Sequence, residues 1–187
     1  WTGAQAGRVA SPVHGASAFE TILREDDLQQ TVVGVCDAPP LESEDRYAAN
    51  LLATILGDHT GSRLYWPLID PGLADGAELS YQDYNQAGTF FTFLSCEPES
   101  TQDNLARIAK IYRTVMKEGV TEEELVQAKN KILARSVLRS ERPMGRLASL
   151  GFHWMYRHAY LTVEEELDAF SRVTLADLNR VLKNYPL

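Results

Sequence analysis

In the stretch 57-GDHTGSRLYWPLIDPGLADG-76, an aspartate, a histidine, a threonine and a serine fall at Asp58, His59, Thr60 and Ser62. These are side-chain types of nucleophilic hydrolysis, but their setting argues against that chemistry. A nucleophile elbow reads Gly-x-Ser-x-Gly after a strand, whereas Ser62 follows a predicted helix and precedes Arg63 and Leu64. Catalytic triads are assembled in space, so the adjacency of Asp58 and His59 carries no weight. Ser62 as the N-cap of a short helix over 63–69 accounts for its hydroxyl more simply. Gly57 and Gly61 lack the following Lys-Ser/Thr that a phosphate-cradling loop requires.

Metal chemistry fares no better. The histidines are His14, His59, His153 and His158. His153 and His158 are five positions apart, about 140° around a helix, so they cannot face one ion together. They read as half-exposed helix histidines. There is no Cys-x-x-Cys pair, which removes a thiolate zinc site. Cys36 and Cys96 each end an apolar run and read as buried free thiols on neighbouring strands. Arg135, Arg139, Arg142 and Arg146 step at helical spacing, but Pro143 interrupts them and acids dilute them, so they read as a solvated face. The residues by themselves name no catalytic group and no metal ligand.

The elements that must position these residues follow from periodicity and punctuation. Runs 19-FETIL-23 and 28-LQQTVVGVC-36 are expected as strands, on their Val and Thr content. A helix is expected over 43-SEDRYAANLLATILG-57, with Ser43 able to cap it and Gly57 to stop it. Tyr47, Leu51, Leu52, Ile55 and Leu56 form its apolar stripe. A hairpin is expected from 77-AELSYQDY-84 and 88-GTFFTFLSC-96, with Gly88 as the turn residue. Helices follow over 101–119, 121–142, 143–160, 163–170 and 175–184. Thr121 with Glu124, Thr162 with Glu165, and Thr174 with Asp177 offer capping boxes, and Pro143 suits a helix start. Strands and a helix, then a hairpin, then helices: the fold class is α+β, a mostly antiparallel sheet backed by helices.

At 187 residues, 44% hydrophobic and 24% charged, the chain reads as an ordinary globular domain. Its net charge of -8 argues against nucleic acid as a partner, because phosphate binding needs concentrated basic surface. No apolar run approaches the roughly 18 residues of a membrane span. Residues 1–17, which open at Trp1 without an initiator Met or a signal pattern, are expected to be a linker or the tail of a preceding domain. The compartment stays open, with the cytoplasm slightly favoured.

One ordered series of features carries a resemblance: 28-LQQTVVGVCDAPPLESEDRYAANLLATILG-57, 61-GSRLY-65, 72-GLA-74, 87-AGTFFTFLSCEPE-99, 119-GVTEEELVQAKNKIL-133 and 159-AYLTVEEELDAFSRVTLADLNRVL-182. Together these resemble the C-terminal half-domain of pitrilysin/insulinase-type zinc metallopeptidases, a group that includes the mitochondrial processing peptidases. The likeness runs from about residue 20 to the end, and the domain is expected over 18–187. It implies two similar halves facing each other around a peptide-cleaving chamber. The zinc motif His-x-x-Glu-His would lie in the N-terminal half, and it does not occur here. No catalytic residue, metal or cofactor is therefore expected in this chain, with zinc expected in the missing half.

The expected partners are that N-terminal half, in the same chain or a related subunit, and a peptide substrate; a homodimer stays open. The resemblance also implies an Arg and a Tyr that contact substrate, but those positions fall on Ile69 and near Asp75. Arg63, Tyr81 and Tyr84 are the substrate-binding candidates that remain. The function this implies is a noncatalytic half that closes the chamber and presents a strand edge to an extended peptide. The alternatives are a catalytically inactive structural or assembly module of the same fold, and an unrelated α+β binding domain.

Overall fold

The computed structural model describes residues 17–24 and 27–187; apart from Ser17, the expected linker lies outside them. Three strands, β1 (Gln30–Asp37), β2 (Gly76–Tyr84) and β3 (Ala87–Cys96), form one antiparallel sheet in the order β1-β3-β2. The helices are α1 (Asp45–Gly57), α2 (Thr101–Glu118), α3 (Glu122–Ser140), α4 (Pro143–Arg157), α5 (Val163–Arg172) and α6 (Leu175–Asn184). The α+β class expected from the sequence is the one observed.

Alternation along the strands decides which face is covered. Ala77, Leu79, Phe90, Leu94 and Cys96 are buried on the helix side, under α1 and α2. Tyr112 of α2 reaches that face, its hydroxyl 2.9 Å from Thr92 Oγ1. Leu51, Leu52 and Leu56 of α1 are fully buried, each contributing about 1.5–3 kcal/mol by leaving water. Helices α3, α5 and α6 pack against α1, and α4 rests on α3. The end of α1 approaches β2 so closely that a Cβ at Gly57 would stand 1.8 Å from the Leu79 backbone nitrogen. Glycine at that helix end thus serves packing as well as termination.

Local expectations were met unevenly. All three capping boxes form, each threonine hydroxyl accepting the N–H three residues on. Pro143 opens α4. Residues 19–23, expected as a strand, carry no regular structure; Phe19, Ile22 and Leu23 are strongly exposed, and no described strand lies beside them to pair. Gly88 is not the hairpin turn residue. It lies within β3 opposite Asp83, where a Cβ would come 2.0 Å from the Pro39 carbonyl oxygen. The turn is Asn85–Gln86, and Gln86 takes a left-handed φ of 60° with its N–H donating to the Glu42 carboxylate. The short helix expected over 63–69 is a π-helical turn, Tyr65–Ile69, in which Asp70 N–H donates to the Tyr65 carbonyl at 3.0 Å. Pro67 within it has no N–H to offer a regular helix.

Candidate functional site

The Asp-His-Thr-Ser cluster is a joint between elements. Asp58, at the end of α1, accepts a hydrogen bond from Lys131 Nζ at 2.9 Å and two from Arg135 at 2.9 and 3.0 Å, both on α3. Burial alone would raise this carboxyl, yet the bonds and charges of Lys131 and Arg135 hold its pKa below the usual range. Lys131 also donates to the Thr60 carbonyl. Ser62 Oγ accepts the Tyr65 N–H at 3.1 Å, the bond a capping serine makes. His59 pairs with Glu78 at 3.0 Å instead of with Asp58 or Ser62.

Arg63 faces α3 as well. Its guanidinium grips both Glu124 oxygens at 2.7 Å and reaches the Gly119 carbonyl at 3.3 Å. That pairing raises the Arg63 pKa, while burial opposes it. Glu124 is held low by Arg63 and by the Thr121 N–H, against the effect of burial. Glu124 thus closes the capping box of α3 and anchors the turn in one carboxylate.

The three candidate substrate contacts do not converge. Tyr81 and Tyr84 are three apart on β2 and therefore point to opposite faces of the sheet. Tyr81 lies on the helix side, its hydroxyl donating to the Pro39 carbonyl at 2.6 Å. Burial first, then the Asp83 carboxylate, pushes its phenol well above the ordinary value. Tyr84 is exposed on the other face, its hydroxyl bonded to Gln82 Oε1. Arg63 belongs to the α1–α3 joint. Ile69 packs against the core, and Asp75 is exposed, accepting a hydrogen bond from Gln29 at 2.8 Å.

Among the described residues no element packs over the face of the sheet away from the helices. Val33 and Val35 of β1 are 50% and 60% exposed, and lie opposite the half-buried Phe93 and Phe91. Among the described residues nothing pairs with the outer edge of β1. Nor does any group of three or more His, Cys, Asp or Glu come together to hold a metal. Cys36 and Cys96 are free thiols on adjacent strands; burial, then the Asp37 charge, pushes Cys36 up and keeps it a poor nucleophile. No described helix is long and apolar enough to cross a membrane.

Arg46 is not among the residues that the sequence singles out. It lies on the first turn of α1 yet is buried, beside a cavity of about 510 Å³ under α4. A signal was available, because Arg46 shares a helical column with Ala53 and Gly57, small residues that mark close packing.

The family described as Peptidase M16 inactive domain matches residues 8–132. An uncharacterized zinc protease of Mycobacterium tuberculosis is 25% identical over 173 residues, covering 92% of this chain and 39% of its own length. The chain therefore spans about two fifths of the curated relatives it matches. The crystal structure of the inactive peptidase domain of a Bordetella parapertussis protein superposes with a TM-score of 0.74 at 23% identity, over 88% of this chain and 90% of that one. A chain of Complex III2 from Candida albicans shares the fold at a TM-score of 0.77 and 11% identity, over 87% of this chain and 41% of its own. With a helix-backed antiparallel sheet, an ordered match over two thirds of its length and relatives named as zinc proteases, this chain belongs to the peptidase M16 inactive-domain family.

Proposed function

We propose that this chain is the noncatalytic half of a zinc metalloendopeptidase, closing a chamber whose metal is held by a facing N-terminal half and helping to bind an extended peptide there. The observation that carries this reading is the sheet face left exposed among the described residues, with Val33 and Val35 on a β1 edge that no described strand pairs. An exposed apolar face on a folded domain calls for something to cover it, and an open edge can take up an extended chain through main-chain hydrogen bonds. The chain's match to only 39% of a zinc protease relative supports a larger protein that supplies the zinc ligands. The domain is taken to run over 18–187, and Tyr84, exposed on the open face, is the candidate best placed to touch peptide. Arg63 and Tyr81 would then shape the site through the turn and the sheet that they hold.

The test is peptide hydrolysis by the full-length protein with and without a chelator, beside this chain alone. Hydrolysis by the full-length protein that the chelator abolishes, with none from the isolated chain, is expected. Turnover by the isolated chain would overturn the assignment. A zinc-replete full-length protein with no activity would favour the second reading, a structural or assembly module. Ile69 and Asp75, standing where the family implies an Arg and a Tyr, support that alternative, as does the shared fold with a Complex III2 chain.

A further inference from the structure

Arg46 is 6% exposed and carries an unmet demand. Its Nε has no hydrogen-bond partner, one terminal nitrogen donates to the Tyr47 hydroxyl, and its Cζ lies 4.4 Å from the centroid of the Tyr47 ring. Among the described residues no carboxylate pairs with it. A guanidinium does not shed its proton on burial as a lysine can, so an anion or water must meet it.

The cleft beside it is built for the first. Arg46 and Tyr47 of α1, Tyr81 of β2, Arg139 of α3, Phe152 of α4 and Phe170 of α5 line a cavity of about 510 Å³, within the range of about 300–1,000 Å³ typical of ligand pockets. It adjoins a second cavity of about 200 Å³ lined by Arg135, Arg139 and Arg146. Against these four arginines the walls bring two carboxylates, Asp83 and Glu166. Arg135 is engaged by Asp58, and Arg146 by the Tyr160 hydroxyl and the Leu161 carbonyl. Arg139 makes no hydrogen bond or ion pair through its guanidinium among the described residues. In a chain of net charge -8, this is a local concentration of positive charge.

We propose that the cleft is a carboxylate-binding pocket, with Arg46 and Arg139 supplying the guanidiniums and the aromatic walls taking an apolar neighbour of the bound group. A guanidinium suits a planar two-oxygen anion, as arginine–carboxylate pairs do, and two of them line this cleft. Asp83 and Glu166 in the wall disfavour the higher charge of a phosphate. The identity of the ligand rests on the peptide-binding reading above: the carboxylate is the C-terminus of a peptide or an Asp or Glu side chain within it.

Isothermal titration calorimetry on this chain, at low salt, tests the pocket with three eight-residue peptides of one apolar sequence. All are N-acetylated: one has a free C-terminus, one is amidated and uncharged, and one is amidated with a single central Glu. At least one carboxylate peptide is expected to bind about tenfold or more tightly than the neutral one, and which of them does so identifies the source. Arg139 is exposed, so R139Q should unfold at the parent temperature while losing about tenfold in carboxylate affinity; R46Q should lose more, if it folds. Equal binding of all three peptides, binding of none, or an R139Q variant that binds like the parent would each overturn the proposal. A full-length protein that hydrolyses nothing but keeps R139Q-sensitive binding would retain the pocket and remove the proteolytic role. Chelator-sensitive hydrolysis without any carboxylate preference would do the reverse.

Discussion

Replacing Asp58 with Asn isolates the joint between α1 and α3. The Asp58 side chain is 4% exposed, whereas Lys131 and Arg135 are 35% and 55% exposed. Asn keeps the shape and one acceptor but removes the charge from three hydrogen bonds. A charge-assisted bond contributes about 1.5–3 kcal/mol and a neutral one about 0.5–1.5, so the difference is roughly 1 kcal/mol per bond, or about 3 kcal/mol in all. Lys131 and Arg135 can recover hydration because their heads reach solvent, which brings the expected loss to about 2 kcal/mol. That corresponds to a fall in melting temperature of about 4–8 °C for a chain of this size. Urea unfolding of the parent and D58N at pH 7, 5, 4 and 3.5 measures it. Because the folded pKa of Asp58 is depressed, its contribution is present above the unfolded value of about 3.9 and is lost as pH falls through the folded one. The gap between parent and variant should therefore be full at pH 7 and 5 and shrink below about pH 4. A gap under about 0.5 kcal/mol at pH 7, which is no more than an ordinary surface substitution gives, or one that does not narrow on acidification, would refute the clamp.

Two further substitutions separate packing from pairing. Gly57→Ala drives a methyl group into the β2 backbone and should cost roughly 3 kcal/mol by overpacking, with α1 displaced from the sheet; a variant as stable as the parent in thermal unfolding would show that the helix end has room to shift. Arg63→Gln removes a bidentate, partly exposed pair and should cost about 1 kcal/mol in urea, with E124Q adding little on top because the ion pair is already gone and a glutamine can still close the capping box with Thr121. Fully additive losses in that double-mutant cycle would count against the pairing.

What the sequence determined was set by short-range physics. A threonine followed three residues later by Glu or Asp needs only its own helix turn to close, so the capping boxes at Thr121, Thr162 and Thr174 could be read directly. The apolar stripe of α1 likewise fixed that helix and its buried face. The order of those elements, with the Ser62-Arg63-Leu64 turn, was enough to point to the family. The absence of a zinc motif indicated which half of a peptidase to expect.

Tertiary structure decided whatever depended on a partner far along the chain. Residues 19–23 have strand composition, but a strand exists only where another chain segment meets its hydrogen bonds, and none among the described residues does. Gly88 looked like a turn glycine because its sequence context fits one; the Pro39 carbonyl, 49 positions earlier, is what excludes a side chain there. The roles of Asp58 and Arg63 were fixed by Lys131, Arg135 and Glu124, 61 to 77 positions away, which turned an apparently catalytic cluster into a clamp. Arg46 became a candidate ligand group only because packing placed it out of water with no described carboxylate beside it. Local pattern fixes which residues can form a helix or a cap, but whether a charge is paired, buried or free is a property of the whole packed chain.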